Sequence, residues 1–457
     1  MNPHLLPLVW PHFVELENSF KIMEQLLHYC WKHRLFTLRQ LTTTDNQALE
    51  VIDVGLHNAN SGPDFLNAKV KIGNTVWVGN VEIHVRTSDW YVHRHEQDAA
   101  YNNVILHVAG EIDAEVKTES GRVVPQLQLS VPASVAQHYE QLQTIDTYPP
   151  CYEIIPNLST LTIHAWMSAL QTERLEQKTH DIERRLQQCD GDWEAALFIT
   201  LARNYGFGIN GEAFEQWARS IPLHAVDHHR DDLFQIEAFF MGQAGLLERH
   251  LIPQKYHGTM DEEGYFERLR TEYLYLQRKF SLQPIDGKMW RFLRLRPQNF
   301  PYIRIAQLAN LYHSRRFGLR NLVESETLDD LKVAMKSAVS PYWETHYVFG
   351  SVSRKSEKRL SEASLNVLLI NTAIPFLFAY GRHESSESLC EQAIHYLEQL
   401  KPERNHIVTM WQQCGLDVQN AGDTQALIQL KTQYCDRKEC LRCRFGYEYL
   451  KGKQQNM

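Results

Sequence analysis

The chain has 457 residues, too many for one compact core, so two or three domains are expected. Its 43% hydrophobic and 22% charged residues are ordinary for a globular protein. The net charge of −8 disfavours a protein that coats DNA, although it is compatible with a local basic groove. The most apolar stretch, 365–380, is short and contains Asn366, Asn371 and Pro375, and no secretory signal is visible, so a cytoplasmic protein without a membrane span is expected.

The N-terminal third is predicted to be rich in strands. An amphipathic helix at about 13–33 precedes a strand at 48–54 and a loop at 57–63. Strands at 65–72 and 75–86 follow, joined by Gly73-Asn74, a pair that favours a tight turn. The next predicted elements are a helical segment at about 95–101, strands at 104–108, 116–118 and 123–129, and a linker at 148–156.

From residue 160 onward the pattern is almost wholly helical. The long amphipathic stretch 160–188 is followed by further helical patterns at 193–218, 231–249, 262–280, 303–313, 328–338, 361–379 and 385–400. The sequence thus predicts an α+β protein with domains at 1–148 and 149–400 and a helical C-terminal segment at 401–457.

Two acids in the strand region suggest a divalent-metal site. Asp64 begins one strand of the predicted hairpin, and Glu82 and His84 share a face of the other because they are two residues apart. Glu24, on the preceding helix, is a third candidate acid. Hard oxygen ligands converging on Mg²⁺ or Mn²⁺ suit phosphodiester hydrolysis. Each acid alone is as readily explained as a turn or surface residue.

These residues resemble the signature of the PD-(D/E)xK nuclease superfamily: Pro63-Asp64, then Glu82-Ile83-His84. Gln97 and Tyr101 match the Gln-x-x-x-Tyr motif of its bacterial recombination-exonuclease branch. The resemblance, over roughly residues 15–130, implies a restriction-endonuclease-like α/β domain in which Asp64 and Glu82 bind metal. It also implies that Glu24 is an accessory acid and that Gln97 and Tyr101 line the site or touch DNA.

The sequence departs from that superfamily at one position, where His84 replaces the lysine. A histidine is mostly neutral at pH 7, so it lacks the lysine's fixed positive charge. His84 is expected to act as a general base or metal ligand, or else Lys69 or Lys71 on the adjacent strand takes the lysine's place.

Nearly the whole chain also resembles a bacterial family classified only as a domain of unknown function. The phrases His-Asn-x-x-x-Gly-Pro-Asp-Phe, Gly-Asn-Val-Glu-Ile-His and Asn-Val-Ile-Leu-His-Val carry this resemblance, together with Arg-Leu-Arg-Pro-Gln-Asn-Phe-Pro from Arg294 and the terminal cysteines. It implies no activity.

Histidines in the same region allow a different site. A catalytic zinc could use some of them together with Asp64 or Glu82, because imidazole is a common zinc ligand. No spacing among them matches a standard zinc motif, and each alone is more simply a surface or packing residue. The histidines concerned are His57, His84, His93, His95 and His107.

Cysteines cluster near the C-terminus. Cys435, Cys440 and Cys443 form a close triplet, with Cys414 as the expected fourth ligand and His406 as its rival. Four such ligands hold Zn²⁺ or a [4Fe–4S] cluster, and the basic residues around them are expected to favour thiolates. Buried free thiols are the alternative.

The stretch 287–323 lacks acids and interleaves arginines with aromatic residues, a pattern that suits phosphate contact and base stacking. Internal ion pairs and core aromatics would give the same composition. The candidate nucleic-acid contacts are Arg291, Arg294, Arg296, Arg304, Arg315 and Arg316.

The leading prediction is a Mg²⁺- or Mn²⁺-dependent nuclease acting on nucleic acid, with DNA as the expected substrate. One alternative is a non-catalytic nucleic-acid-binding or scaffold protein on a degenerate nuclease fold. The other is a zinc hydrolase that uses the histidines. Protein partners, strand polarity and oligomeric state leave no signal in the sequence.

Overall fold

A computed structural model describes residues 11–36, 41–58, 60–145 and 148–452, with side chains from residue 21 onward. The chain forms two compact units, described separately below. Unit 1 comprises residues 1–162 and 431–457, and unit 2 comprises residues 163–430. This division differs from the one expected from the sequence, because the chain returns to unit 1 at residue 431 instead of forming a separate segment from residue 401.

Unit 1 is built on one mixed sheet with the order β1-β2-β4-β5-β6-β7, in which β3 pairs with β4 at one end. The pairs from β1 to β5 are antiparallel, whereas β5, β6 and β7 run parallel. The hairpin turns at Gly73, whose φ of 58° suits glycine. The strands are β1 Leu41–Thr42, β2 Ala48–Asp53, β3 Leu56–His57, β4 Phe65–Ile72, β5 Thr75–Arg86, β6 Val104–Glu111 and β7 Gln126–Gln128.

The helices of unit 1 come from both ends of the chain. They are α1 Pro11–Lys32, α2 Asp89–Val92, α3 Ala133–Thr144 and, after unit 2, α19 Arg444–Lys451. Helix α19 packs on α3, where the Tyr449 hydroxyl donates to Gln141 Oε1 at 3.1 Å. The crossover from β5 to β6 consists of α2 and two short 3₁₀ turns, where a longer helical segment was expected.

Unit 2 is helical around one large apolar core that includes the buried rings of Trp217, Phe240 and Trp343. Helix α4, Thr160–Gln187, leads into it. The others are α5 Trp193–Tyr205, α6 Gly211–Arg219, α7 Leu223–Asp227, α8 Leu233–Gln243, α9 Tyr265–Phe280, α10 Pro301–His313, α11 Leu319–Val323, α12 Leu328–Met335, α13 Pro341–Thr345, α14 Glu362–Leu368, α15 Ile374–His383, α16 Glu387–Gln399, α17 His406–Gln413 and α18 Ala421–Gln429.

One helical stretch, Glu362–His383, is long and apolar enough to cross a membrane by length and composition, where the sequence was expected to offer none. It consists of α14, a π-helical turn at Leu369–Ala373 and α15. Of its most apolar window, 67% is buried inside the protein, as in the core helix of a folded domain.

The expected α+β class, with a sheet near the N-terminus and a mostly helical remainder, is confirmed. Both hairpin strands have the predicted bounds, and α1 and α4 lie within two residues of theirs. The strand expected at 116–118 is reduced to an isolated bridge between Lys117 and Val123, and the next strand to Gln126–Gln128.

Candidate metal centre

The hairpin brings the two predicted acids together. Glu82 and His84 share one face of β5, and His107 on the parallel strand β6 stands opposite Glu82 in the register. Asp64, just before β4, is locked to β5 by two hydrogen bonds. Its backbone N–H donates to Glu82 Oε2 at 3.0 Å, and the Ile83 N–H donates to Asp64 Oδ2 at 2.9 Å. The strand register therefore fixes both carboxylates.

Two further histidines reach the same face from the crossover after β5. His93 ends α2 and His95 begins the next turn, separated by Arg94 in the left-handed region at a φ of 62°. The His95 ring stacks on Tyr101 with centroids 3.8 Å apart, and Trp90 meets His95 edge-on at 5.3 Å. These aromatic contacts hold the His95 imidazole in place.

Four potential ligand atoms face one another here. His84 Nε2 lies 3.1 Å from His93 Nδ1, and Glu82 Oε1 lies 3.3 Å from His95 Nε2 and 3.6 Å from His84 Nε2. Tetrahedral zinc with bonds of about 2.0–2.2 Å has ligand atoms roughly 3.3–3.6 Å apart. The ligand atoms of the three histidines all lie within 4.8 Å of one another. The three imidazoles therefore fit a single divalent ion, and Glu82 Oε1 lies beside two of them.

His84 is held as a neutral imidazole. It is 2% exposed, and its Nδ1 is hydrogen-bonded to His107 Nε2 at 2.8 Å. Burial lowers the pKa of His84 to about 2, aided by the charges of His107 and His93. Burial likewise lowers the pKa of His107 to about 3. His84 therefore cannot replace the positive charge of a lysine, but it keeps a lone pair for a metal.

On the other side of the cleft, Asp64 meets helix α1. His28 Nε2 lies 3.4 Å from Asp64 Oδ2, and Glu24 stands one turn earlier on the same helix face. Burial lowers the pKa of His28, but Asp64 and Glu24 outweigh it and leave that pKa raised. Burial, followed by the charge of Asp64, raises the pKa of Glu82. Burial also raises the pKa of Glu24.

The carboxylates of Glu24, Asp64 and Glu82 and the imidazoles of His84, His93 and His95 line an open cleft of about 380 Å³. Gln97 is not among them, because its exposed side chain turns away and donates to Glu96 Oε1. His57 also lies outside the ligand group, near Phe65. The cleft is lined by Glu24, Ser61, Gly62, Asp64, Glu82, Ile83, His84, His93, His95, Asp98 and Tyr101.

A second cavity of unit 1, of about 420 Å³, carries basic side chains. His28, which contacts Asp64, lines this cavity, so the two cavities meet at that pair. Glu439 is the one acid among the described residues that line it. The basic residues lining it are Lys32, Arg437, Lys438 and Arg442.

Cys435, Cys440 and Cys443 are joined in unit 1 by Cys151, which lies close enough for their charges to raise its pKa. Cys414 belongs to unit 2, where it caps α17, and His406 begins that helix. Burial raises the pKa of Cys440 to about 11 despite the nearby Lys438. The expectation that basic neighbours favour thiolates is therefore corrected, because desolvation outweighs them.

The basic stretch of unit 2 does not form one surface. Arg304 is 4% exposed, and Arg315 pairs with Asp231 at 3.1 Å. Several aromatic residues of the stretch, such as Trp290 and Tyr302, are buried in the core. The exposed arginines are Arg291, Arg294, Arg296 and Arg316, together with Arg315 and Arg320 in their ion pairs with Asp231 and Glu324.

Sequence reasoning missed His28 and Cys151 and did not identify the role of His107. His28 follows Glu24 by four residues on an amphipathic helix, a spacing that could have indicated it. His107 was named only as one of several histidines, and its pairing with His84 depends on the β5–β6 register. Cys151 has no spacing signal, because it is distant in sequence from the triplet.

The fold and the cleft define a class, an α+β protein that carries an open carboxylate–imidazole cleft on a mixed sheet. The chain belongs to the family described as "Protein of unknown function (DUF2851)", which it matches over residues 24–406. The expected membership of a family of unknown function is thereby confirmed. The match includes the cleft and the basic stretch and ends before Cys435. Among curated proteins and solved structures, none matches the chain.

Proposed function

We propose that this protein is a metal-dependent hydrolase of phosphodiesters, a nuclease with DNA as its expected substrate. One observation carries the proposal: the ring nitrogens of His84, His93 and His95 all lie within 4.8 Å of one another, and Glu82 Oε1 lies 3.3 Å from His95 Nε2 and 3.6 Å from His84 Nε2. Three imidazoles and one carboxylate suit Zn²⁺ better than Mg²⁺, which prefers oxygen ligands.

The topology supports the proposal that unit 1 has a restriction-endonuclease-like core. A helix precedes an antiparallel hairpin, and a helical crossover leads to a parallel strand. Asp64 stands at the start of one hairpin strand and Glu82 on the other, in the order of the PD-(D/E)xK signature. The departure at His84 changes the role of that position from a cation to a metal ligand.

Different residues of the chain have different roles in the proposed hydrolysis. A divalent ion held by His84, His93, His95 and Glu82 would supply Lewis acidity for the activation of water. Asp64 Oδ2 is held by the Ile83 N–H and by His28, whereas Oδ1 accepts no hydrogen bond from a described residue. Oδ1 is therefore the atom that takes a proton from the attacking water. The basic cavity beside His28 would bind the phosphates of a polynucleotide.

A non-catalytic role is the second candidate, and the ligand count favours it. Four protein ligands complete a tetrahedral shell, as in structural zinc sites, whereas catalytic sites keep one position open. His93 is the exposed member of the four, so it is the ligand whose departure would open the shell. In this candidate the protein binds nucleic acid without cutting it.

We further propose that Cys151, Cys435, Cys440 and Cys443, which lie near one another in unit 1, close around a structural metal ion; among the described residues, only His84, His93 and His95 already have ligand atoms within 4.8 Å of one another. Cys151, Cys440 and Cys443 are at most 8% exposed, and Cys435 lies among them. Four thiols suit Zn²⁺ or a [4Fe–4S] cluster. A brown protein with a visible absorption band would identify iron–sulfur, and a colourless one with stoichiometric zinc would identify zinc.

The nuclease proposal is tested with the full-length protein, stripped by a chelator and reloaded with Zn²⁺, Mn²⁺ or Mg²⁺. Labelled single-stranded DNA, duplex DNA and RNA are the substrates. We expect metal-dependent cleavage that Asp64→Asn lowers at least ~100-fold, since a proton acceptor contributes about 10²–10⁴-fold. Asp53→Asn, on an exposed position of β2, is the control.

Binding of the nucleic acid without cleavage under every metal would favour the non-catalytic candidate. Cleavage that is unchanged in Asp64→Asn would remove the proposed role of Asp64. In both cases, metal analysis of the same samples shows whether the cleft still holds its ion.

A further inference from the structure

Unit 2 contains a small polar cavity, to which Arg296 and Arg304 of the basic stretch contribute. Its volume is about 150 Å³, half the lower limit of about 300 Å³ typical for drug-sized ligands. No Asp or Glu stands among the described residues that line it. They include Arg296, Arg304, Lys358, Arg359, Ser361 and Ser364.

The central residue, Arg304, is a buried cation without an anionic partner. Its guanidinium donates only to neutral oxygens, Gln307 Oε1 at 2.8 Å and Asn299 Oδ1 at 2.6 Å. Its Nε has no hydrogen-bond acceptor, and one face of the group lies over the Phe207 ring at 4.3 Å. Arg304 forms no ion pair with any described residue. Burial lowers the pKa of Arg304 to about 10, and no carboxylate opposes that shift.

A second buried cation adds to the charge. Lys358 is 4% exposed, and its Nζ donates to the backbone carbonyls of Trp343 and His346, each at 2.6 Å. The nearest opposing acid is Glu344, which itself pairs with Lys355. Two buried cations without a bonded carboxylate are costly, since each loses its hydration without a compensating charge.

The rim of the cavity adds more donors. Arg296 is exposed and forms no ion pair with a described residue, whereas Arg359 pairs with Glu357 at the surface. The hydroxyls of Ser361 and Ser364 lie 3.0 Å apart on the wall. Guanidinium groups and hydroxyls around a small space are suited to an anion with several acceptor oxygens.

We propose that this cavity binds a phosphate group through Arg304 and Arg296. A bound phosphate supplies the negative charge that Arg304 lacks within the protein. The size of the cavity limits the ligand to free phosphate or to a terminal phosphate of a small molecule. The size excludes the internal phosphates of a polynucleotide, which are the proposed ligands of the basic cavity of unit 1. The two cavities therefore differ in the phosphates that they bind.

The test uses the full-length protein and calorimetric titration with inorganic phosphate at an ionic strength fixed with KCl. We expect saturable one-site binding and a rise in melting temperature. Arg304→Gln should weaken binding at least tenfold and Arg296→Gln several-fold. Arg320→Gln, which alters an exposed arginine paired with Glu324 in the same unit, is the matched control and should bind as wild type does.

Two competitors identify the source of the phosphate. Displacement by a 5′-mononucleotide supports a terminal phosphate as ligand, and its failure together with phosphate binding supports free phosphate. An oligonucleotide that lacks terminal phosphates should not compete. The proposal is overturned if wild type shows no phosphate binding, if the oligonucleotide alone binds, or if Arg296→Gln binds phosphate as wild type does. The exposed Arg296 keeps the test valid should Arg304→Gln fail to fold.

Discussion

In the carboxylate–imidazole cleft of unit 1, residues far apart in the sequence lie close together, whereas in the basic stretch of unit 2, residues close in the sequence lie in different environments. The cleft gathers residues scattered from Glu24 to Tyr101 into one open site. The basic stretch is continuous in sequence, yet Arg304 is buried and Arg315 forms an ion pair. Strand register fixes which side chains meet across a sheet, whereas successive helical residues point in different directions. Proximity in sequence is therefore the weaker guide to a site.

The sharpest test of the cleft is Glu82→Gln. This substitution keeps the shape but removes the one anionic donor among the four ligand atoms, so zinc affinity should fall more than ~100-fold, beyond the ~10–100-fold typical of outer-shell changes. Competition with a chromogenic chelator measures it. Glu50→Gln, on an exposed position of β2, is the control. Unchanged zinc affinity in Glu82→Gln would show that Glu82, which the strand register places in the cleft, is not a zinc ligand.

A pair of cysteine variants extends the comparison to the proposed cysteine site. Cys151→Ser should lose most of the bound zinc or iron, because Cys151 stands beside the triplet in unit 1. Cys414→Ser, the neighbour in sequence, should keep it. Metal content per chain measures both. Loss of metal in Cys414→Ser alone would restore the ligand set expected from sequence.

His107→Gln tests the support behind His84. His107 accepts or donates the hydrogen bond that orients the His84 ring, so its loss should lower zinc affinity ~10–100-fold without removing a ligand. The same chelator competition measures the change. An effect as large as that of Glu82→Gln would instead mean that His107 is itself a ligand.

The buried histidines also predict a pH dependence of the metal-free protein. The pKa values of His84 and His107 in the folded state, about 2 and about 3, lie below the ordinary value of 6.5. As pH falls below about 6.5, these histidines become protonated in the unfolded chain but stay neutral in the folded chain. Stability should therefore fall by up to about 1.4 kcal/mol per pH unit for each histidine.

Urea unfolding with a chelator at pH 7.5 and pH 5.5 measures this loss. The raised pKa of Glu82 acts in the opposite direction, so the informative quantity is the difference between wild type and His107→Gln. The unfolding free energy of the variant should depend less steeply on pH, by the contribution of about one proton. Equal slopes would show that His107 is solvated in the folded protein.

The smallest expected effect compares two arginines in nucleic-acid binding. Arg442 lines the cavity beside the cleft, whereas Arg316 lies in the basic stretch. Arg442→Ala should weaken binding of a DNA fragment several-fold and lower the salt dependence by about one counterion. Arg316→Ala should change neither. DNA binding measured at three salt concentrations distinguishes the two arginines. Weaker binding in Arg316→Ala but not in Arg442→Ala would show that the basic stretch contacts the nucleic acid.

The hairpin and the shared face of Glu82 and His84 could be read from the sequence, because alternation and a Gly-Asn turn are local signals. The position of His93 could not, since it depends on the left-handed turn at Arg94. The pairing of His84 with His107 required the parallel register of β5 and β6. The partner of the cysteine triplet required knowing that the chain returns to unit 1.

That return has a consequence for biosynthesis. A ribosome adds ~5–20 residues per second, so synthesis of residues 163–430 takes on the order of tens of seconds. During this interval the sheet of unit 1 has emerged, but α19 and the cysteine triplet have not. Cys151 is therefore present before the cysteine triplet, and the basic cavity lacks the residues that Arg437, Lys438 and Arg442 contribute to it. Unit 1 can be completed only after all of unit 2 has been translated.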